Sequence, residues 1–514
     1  MFSLGFSANG SSMAPKSHNS LSRLSWPAAI AFAALIGRSP AVQAANFNFT
    51  YAPGTSFQQM LNFEAAGNIW SDHLADDVTI NIFVETTDTL PDKVIGGALP
   101  GMKSQQSYWD FKTNYYNDRA SANDATAYNN MEGGSTYKAR FDLYMNNNNN
   151  DGHEATTQTI DLTRANAKAL GLLSSHDAAL DGYILINDLE DESVDWNYDV
   201  QSSNTPNGTL DNLSVALHEI GHVLGFVSGV DRPGWLDSRI GSGEEDQAYR
   251  QSVNNRIADA TPLDMFRYSQ ESQNRGGLND LSLGGDKYFS IDGGQTALAY
   301  LATGTDSSLG GDGYQASHWQ RQGDHLGIMD PVLEVGQRRQ LTELDRLAMD
   351  VIGWDMQSGG TSLSSTYNES LNQLAQKMGV SVEWMTANPE AAALLLTPGW
   401  VDTDNNNLDD RGELLHDMVV SSETYEWGYS GFWWGYSGFW QGWSSFWQEH
   451  DDLDDASKEA FWQHFSWQTV NLESTETQTP AASVPEPTSI AGLLSLGVLG
   501  LGSLSRSRRK HKCW

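Results

Sequence analysis

Residues 218–226 read His-Glu-Ile-Gly-His-Val-Leu-Gly-Phe, and this run sets the expectation for the whole chain. On an α-helix, residues four apart lie on one face. His218 and His222 can therefore each turn a ring nitrogen toward one metal ion, and Glu219 stands beside the first of them. Imidazole-bound zinc lowers the pKa of its water to roughly 7, and a carboxylate within reach takes the proton as that water attacks a polarised carbonyl. The flanks favour a helix here. Asp211 or Thr209 is placed to cap its start, and Val215, Leu217, Ile220, Val223 and Leu224 supply apolar packing. Gly225 stands where a helix must stop or turn. Two His and one Glu can share a helix by chance, but these start, packing and stop signals speak against it.

Two imidazoles alone hold zinc poorly, so a third ligand is needed. The compact H-E-x-x-H-x-x-G-x-x-H form puts it three residues past the Gly, where this chain has Ser228. The next histidines are His318, in Ser317-His318-Trp319, and His325; Asp231 is a carboxylate alternative. Gly327-Ile328-Met329-Asp330-Pro331 then has the form of a Met-turn. Leu341–Asp355 (LTELDRLAMDVIGWD) reads as a helix with Thr342 as its cap. Its apolar stripe is Leu344, Leu347, Ala348, Val351 and Ile352, and Gly353 ends it.

This layout resembles the leishmanolysin branch of the metzincin zinc proteases. There an inserted segment separates the x-x-G from a third His within Ser-His-Trp, and a Met-turn and a helix ending in Gly-Trp follow. The resemblance implies His218, His222 and His318 as zinc ligands, Glu219 as general base, Gly225 as the turn and Met329 as the floor under the metal. It covers about residues 180 to 355 in motif terms; the stretch from about 230 to 316 carries none of it. The implied fold is an α+β, zincin-like catalytic domain. It has a twisted mixed sheet, the zinc helix beneath it, and a smaller helical part that carries the third His.

Both ends of the chain read as addresses. Lys16 and Arg23 precede the apolar run 26–37, and Ala41-Val42-Gln43-Ala44 offers small residues for cleavage, so 1–44 is expected to be a secretory signal peptide. At the other end, Val484-Pro485-Glu486-Pro487 leads into apolar 488–504 and then basic Arg506 to Lys510. Such a run is at the short limit for a membrane span, with the basic tail on the cytoplasmic side. Residues 484–514 resemble a PEP-CTERM sorting signal. That implies a Gram-negative envelope, exopolysaccharide secretion and recognition by an exosortase. Cys513, the chain's one cysteine, lies in this tail, so the exported part has no disulfide. Residues 1–44 and 488–514 hold eight basic residues and no acids, which leaves 22 basic against 65 acidic residues, a formal charge near −43. That charge disfavours nucleic acid as a partner.

The remaining chain is too long for one ordinary core. Residues 45–357 form the expected catalytic domain. It opens with an amphipathic helix at 56–69 and an alternating strand at 78–84, followed by an Asn-rich loop around 146–152. His153-Glu154 reads as a loop pair, 162–173 as a helix, and Tyr183–Ile186 as a short buried strand; the zincin resemblance implies that it is an edge strand able to hold an extended substrate. Ser358–Ser362 reads as a flexible linker, and 365–396 as one or two helices. Asp402, Asp404, Asn406, Asp410 and Glu413 lie in an EF-hand-like run and are candidate calcium ligands; Asn407, where Gly is usual, weakens the match. GYSGFWW, GYSGFWQ and GWSSFWQ repeat every seven residues over 428–448, within a helical and Trp-rich region at 358–470. Exposed aromatics of this kind stack on sugar rings, which makes exopolysaccharide a candidate partner. Residues 471–483 read as a linker.

Two functions fit these features. One is a secreted or surface-sorted zinc endopeptidase acting on protein or peptide substrates. The other is a catalytically inactive zincin-like protein that binds the cell surface or matrix. An intact His218, Glu219, His222 set favours the first, because a binding scaffold has no need of that Glu.

Overall fold

A computed structural model describes residues 44–397, apart from 232–256 and short stretches at 89, 92, 146–147, 190–192, 308–309 and 322–324, together with 466–471. The expected signal peptide up to its last residue, the calcium candidates at 402–413, the Trp repeat, nearly all of the expected 471–483 linker and the expected sorting signal lie outside the described residues. Among the described residues, no helix is long and apolar enough to cross a membrane.

The fold is α+β. Its main sheet comprises β1 (Asn46–Tyr51), β2 (Thr79–Thr87), β3 (Val94–Pro100), β4 (Gly182–Asn187), β5 (Val332–Glu334) and β6 (Ser466–Asn471). Their order across the sheet is β1-β2-β4-β3-β6-β5. β1, β2 and β4 are parallel. β3 is antiparallel to both β4 and β6, while β6 is parallel to β5.

Burial explains the strand order. The alternation expected at 78–84 is not kept in the packing, since Ile80, Ile82, Phe83 and Val84 are all fully buried. Such two-sided burial belongs to a parallel strand covered on both faces. The same holds for β4, where Tyr183, Ile184, Leu185 and Ile186 are buried. The sequence reading placed this strand at an edge; the structure corrects it to a position between β2 and β3, as its unbroken apolar run requires. The strand nearest the His-Glu helix is instead β3, which carries Gly96 and Gly97.

Helix α1 (Phe57–Ser71) starts at a capping box between Ser56 and Gln59 and packs against helix α2 (Asn212–Leu224). Helix α3 (Glu343–Gly353) begins at Thr342, as read, and its box partner is Asp345. Helices α4 (Leu363–Met378) and α5 (Pro389–Leu396) flank a short helix at Val382–Ala387, and both lie on α1. The stretch before them, read as a flexible linker, is held in place. Thr361 N donates to Asp72 Oδ2 at 2.9 Å, and a Cβ on Gly359 would lie 2.2 Å from the His73 ring.

Four further readings change. The helix expected at 162–173 divides into a strand, Thr159–Thr163, and a short helix, Arg164–Ala169, capped by Thr163. Its β-branched start pairs with Met102–Ser107, and that ladder outweighs helix propensity. The Asn-rich stretch and His153-Glu154, read as loops, fall on a strand, Asn148–Thr157, paired with Tyr137–Met145. The part expected to be helical around the third His is built from short strands instead: Arg267–Tyr268, Lys287–Phe289 and Ala299–Leu301. Finally, residues 466–470, read as part of a helical and Trp-rich region, belong to strand β6 of the main sheet.

Candidate metal centre

Helix α2 is fixed at both ends. Asp211, and not Thr209, is its cap: Oδ1 accepts from Ser214 N at 2.9 Å, while Oδ2 pairs with the buried Arg338 guanidinium at 2.7 Å. At the far end Gly225 adopts φ +122°, a conformation that favours glycine, and Trp354 Nε1 donates to Leu224 O at 2.8 Å. His218, Glu219 and His222 lie between these anchors with no exposed surface.

The loop that leaves α2 then meets the loop that carries the third His. Asp264 accepts from Ser228 Oγ at 2.5 Å and Gly229 N at 2.8 Å. Asp231 accepts from Ala316 N at 2.6 Å, from Ser317 N at 2.7 Å and from Ser317 Oγ. Both Asp231 oxygens are thus committed to holding the residues just before His318. The carboxylate proposed as an alternative ligand is a positioning residue. Burial pushes its carboxyl up to about 6, against the opposing pull of these hydrogen bonds. His325, the other alternative, faces Asp330 at 2.9 Å and Glu334 at 3.2 Å, away from the two helix histidines.

His318 does reach them. Its Nε2 lies 3.2 Å from that of His218, and the His222 Nε2 lies 3.1 Å from the same atom. Each Nδ1 faces a main-chain carbonyl: Ile328 O at 2.7 Å for His218, Phe226 O at 2.8 Å for His222 and Gln315 O at 3.2 Å for His318. A carbonyl only accepts, so each Nδ1 carries the hydrogen and each neutral ring keeps a lone pair on Nε2. Three lone pairs aimed at one another in a dry site repel, and a cation at their centre reverses the sign. A tetrahedral ion with nitrogens at about 2.0–2.1 Å spaces them by roughly 3.3–3.4 Å, close to the separations here. Burial pushes His218 down to about 4. It also holds His222 well below its ordinary value, with help from the two neighbouring imidazoles. Neutral rings are the metal-binding form, so the donor set fits a metal ion.

Met329 packs against the same helix. A Cβ on Gly221 would lie 2.4 Å from its sulfur, so glycine between the two histidines gives Met329 room. The Met-turn is clamped by buried Asp345, which accepts from Ile328 N at 2.8 Å and from Trp319 Nε1 at 2.8 Å. Asp345 was not among the residues expected from the sequence; its signal was the third helix position after the Thr342 cap. Nor was Gly96. A Cβ there would come 2.7 Å from Val215 Cγ1 and 2.9 Å from Glu219 Oε1, so β3 passes directly over the carboxylate. A glycine pair inside a strand pattern is the cue for such close approach. Neither Glu219 oxygen has a hydrogen-bond partner among the described residues, and burial alone holds its carboxyl well above the ordinary range.

Comparisons with protein-family models, with curated proteins and with solved structures give no match for this chain.

Elsewhere, Asp76, Asp118 and Asp355 bring carboxylate oxygens within 4.8 Å of one another. Burial, then mutual repulsion, pushes Asp118 up to about 8 and Asp76 up to about 7. The unfolded value is about 3.9. These groups therefore stabilise the fold fully below that value, and the contribution is lost as pH rises through 7 to 8. In EDTA, the melting temperature is expected to be higher at pH 6 than at pH 8.5, by roughly 2–4 °C per kcal/mol relieved. Asp118→Asn should flatten that slope. Equal slopes for variant and wild type in thermal melts would refute this account.

Proposed function

We propose that this chain is an exported, zinc-dependent endopeptidase of the zincin type. One observation carries the reading: the Nε2 atoms of His218, His222 and His318 converge beside a buried carboxylate, Glu219, that no other described residue engages. Zinc bound there would polarise a scissile carbonyl and acidify the attacking water. Glu219 would take that water's proton on a carboxylate oxygen and return it to the departing amine. The carbonyls of Ile328, Phe226 and Gln315 keep the three rings turned inward through their Nδ1–H groups. Met329 against Gly221 packs the Met-turn onto the helix.

The alternative, an inactive surface- or matrix-binding protein, leaves Glu219 without a purpose. A buried carboxylate with no partner is costly, and a scaffold would gain by replacing it. The signal-like run at 1–44 and the PEP-CTERM-like tail at 484–514 support export to the cell surface with an exosortase as sorting partner. The Trp repeat supports exopolysaccharide as a further contact, and the 402–413 run supports calcium as a second ion.

The test is prolonged incubation of the zinc-loaded exported chain with an unfolded protein such as casein. Cleavage is expected, with loss on chelation and recovery with Zn²⁺ but not Mg²⁺. Casein left intact both by the folded, zinc-loaded chain and by its Gln468→Glu variant would overturn the endopeptidase reading.

A further inference from the structure

Strand β6 is the feature this reading does not explain. It comes from far down the chain, yet it lies between β3 and β5, the two segments that flank the metal centre. β3 crosses over Glu219 at Gly96, and β5 begins just past the Met-turn. Ser466 stands opposite Ala98 and Gln468 opposite Gly96, antiparallel; Thr469 stands beside Val332 and Val470 beside Leu333, parallel. Thr469 N donates to Pro331 O and Val470 N to Lys93 O, both at 3.0 Å.

Without β6, both neighbours would present open rows of backbone donors and acceptors next to the metal centre. That is the surface an extended polypeptide pairs with. With β6 in place, Glu219 and His222 have no exposed surface, and His318 is 1% exposed. A substrate strand can pair with β3 and β5 only when β6 is displaced.

We infer that residues 466–471 occupy the groove in which a polypeptide substrate is held, and that they keep the resting chain closed. This inference rests on the endopeptidase reading for its consequence, but not for its geometry.

Gln468 is the residue of β6 that stands opposite Gly96. Directly opposed residues of an antiparallel pair share a face, so Gln468 lies on the face where Gly96 meets Glu219. It is 1% exposed, and its Oε1 has no partner among the described residues. Ser466 and Val470, two residues to either side, are buried as well. An unsatisfied buried amide weakens the strand's hold. β6 is therefore seated by its backbone and left displaceable by its side chain.

Two variants of the full chain test this. Thr469→Pro removes the N–H that reaches Pro331 O. Gln468→Glu keeps every ladder N–H and sets a second carboxylate on the face of Glu219. Both are expected to raise casein cleavage about tenfold or more, the equivalent of one or two net hydrogen bonds. In a Glu219→Gln background, a fluorescent peptide of residues 464–473 should bind either variant and not the chain with native β6. If Thr469→Pro fails to fold, Gln468→Glu decides. Folded variants that neither cleave faster nor bind the peptide overturn the inference. Peptide binding without cleavage by any chain upholds the groove and overturns the endopeptidase reading instead.

Discussion

His318→Ala is expected to lose both the metal and all measurable peptide-bond cleavage, while His325→Ala keeps both. The two histidines are close in sequence, but their surroundings differ. His318 closes the imidazole set, with its Nε2 3.2 Å from that of His218. His325 sits in an ion-pair group with Asp330 and Glu334 and is 29% exposed. Loss of an outer partner of a metal ligand already costs roughly 10–100-fold in affinity, so loss of the ligand itself should cost more. Metal content by atomic emission, measured alongside casein cleavage, separates the cases. Retention of metal by His318→Ala, or its loss from His325→Ala, would show the ligand assignment to be wrong.

Glu219→Gln should separate binding from chemistry. The amide keeps the size of the side chain and cannot act as a base, so the metal stays while cleavage falls by about 10²–10⁴-fold, the usual share of a general base. The variant should also melt no lower than wild type. The native carboxyl is buried without a hydrogen-bond partner among the described residues, so the amide of the same size breaks no hydrogen bond. Equal metal content with undiminished cleavage would remove Glu219 from the reaction.

Local features were legible in the sequence. Two histidines four apart, a cap before them and a glycine after them specify a helix and a shared face; Asp211 and Gly225 occupy these cap and stop positions. Thr342 caps α3 for the same reason. The third histidine was legible only through resemblance, because nothing near His318 states that its loop returns to α2. Two carboxylates bring it there, Asp231 holding the loop and Asp345 holding Trp319 and the Met-turn. In a sequence both look like ordinary acidic residues. The place of β4 inside the sheet was visible in its unbroken apolar run and was misjudged. The place of β6 was not visible. Residues 466–471 alternate only briefly, and their partners lie at 94–98 and 332–334. A pairing so remote leaves no periodic trace.

The three imidazoles also bear on how the chain withstands unfolding. His218 and His318 are 100 residues apart. The chain's one thiol is at Cys513, so no disulfide can span that interval. A shared ion would tie the interval into a loop and narrow the conformations open to the denatured chain. A covalent bridge closing about 100 residues is worth roughly 4.7 kcal/mol in the chain-entropy account. A metal bridge would act on the same entropy, but its strength would follow the free metal concentration around the protein. Metal scarcity would then shorten the lifetime of this protein as reducing conditions shorten that of a disulfide-bonded one.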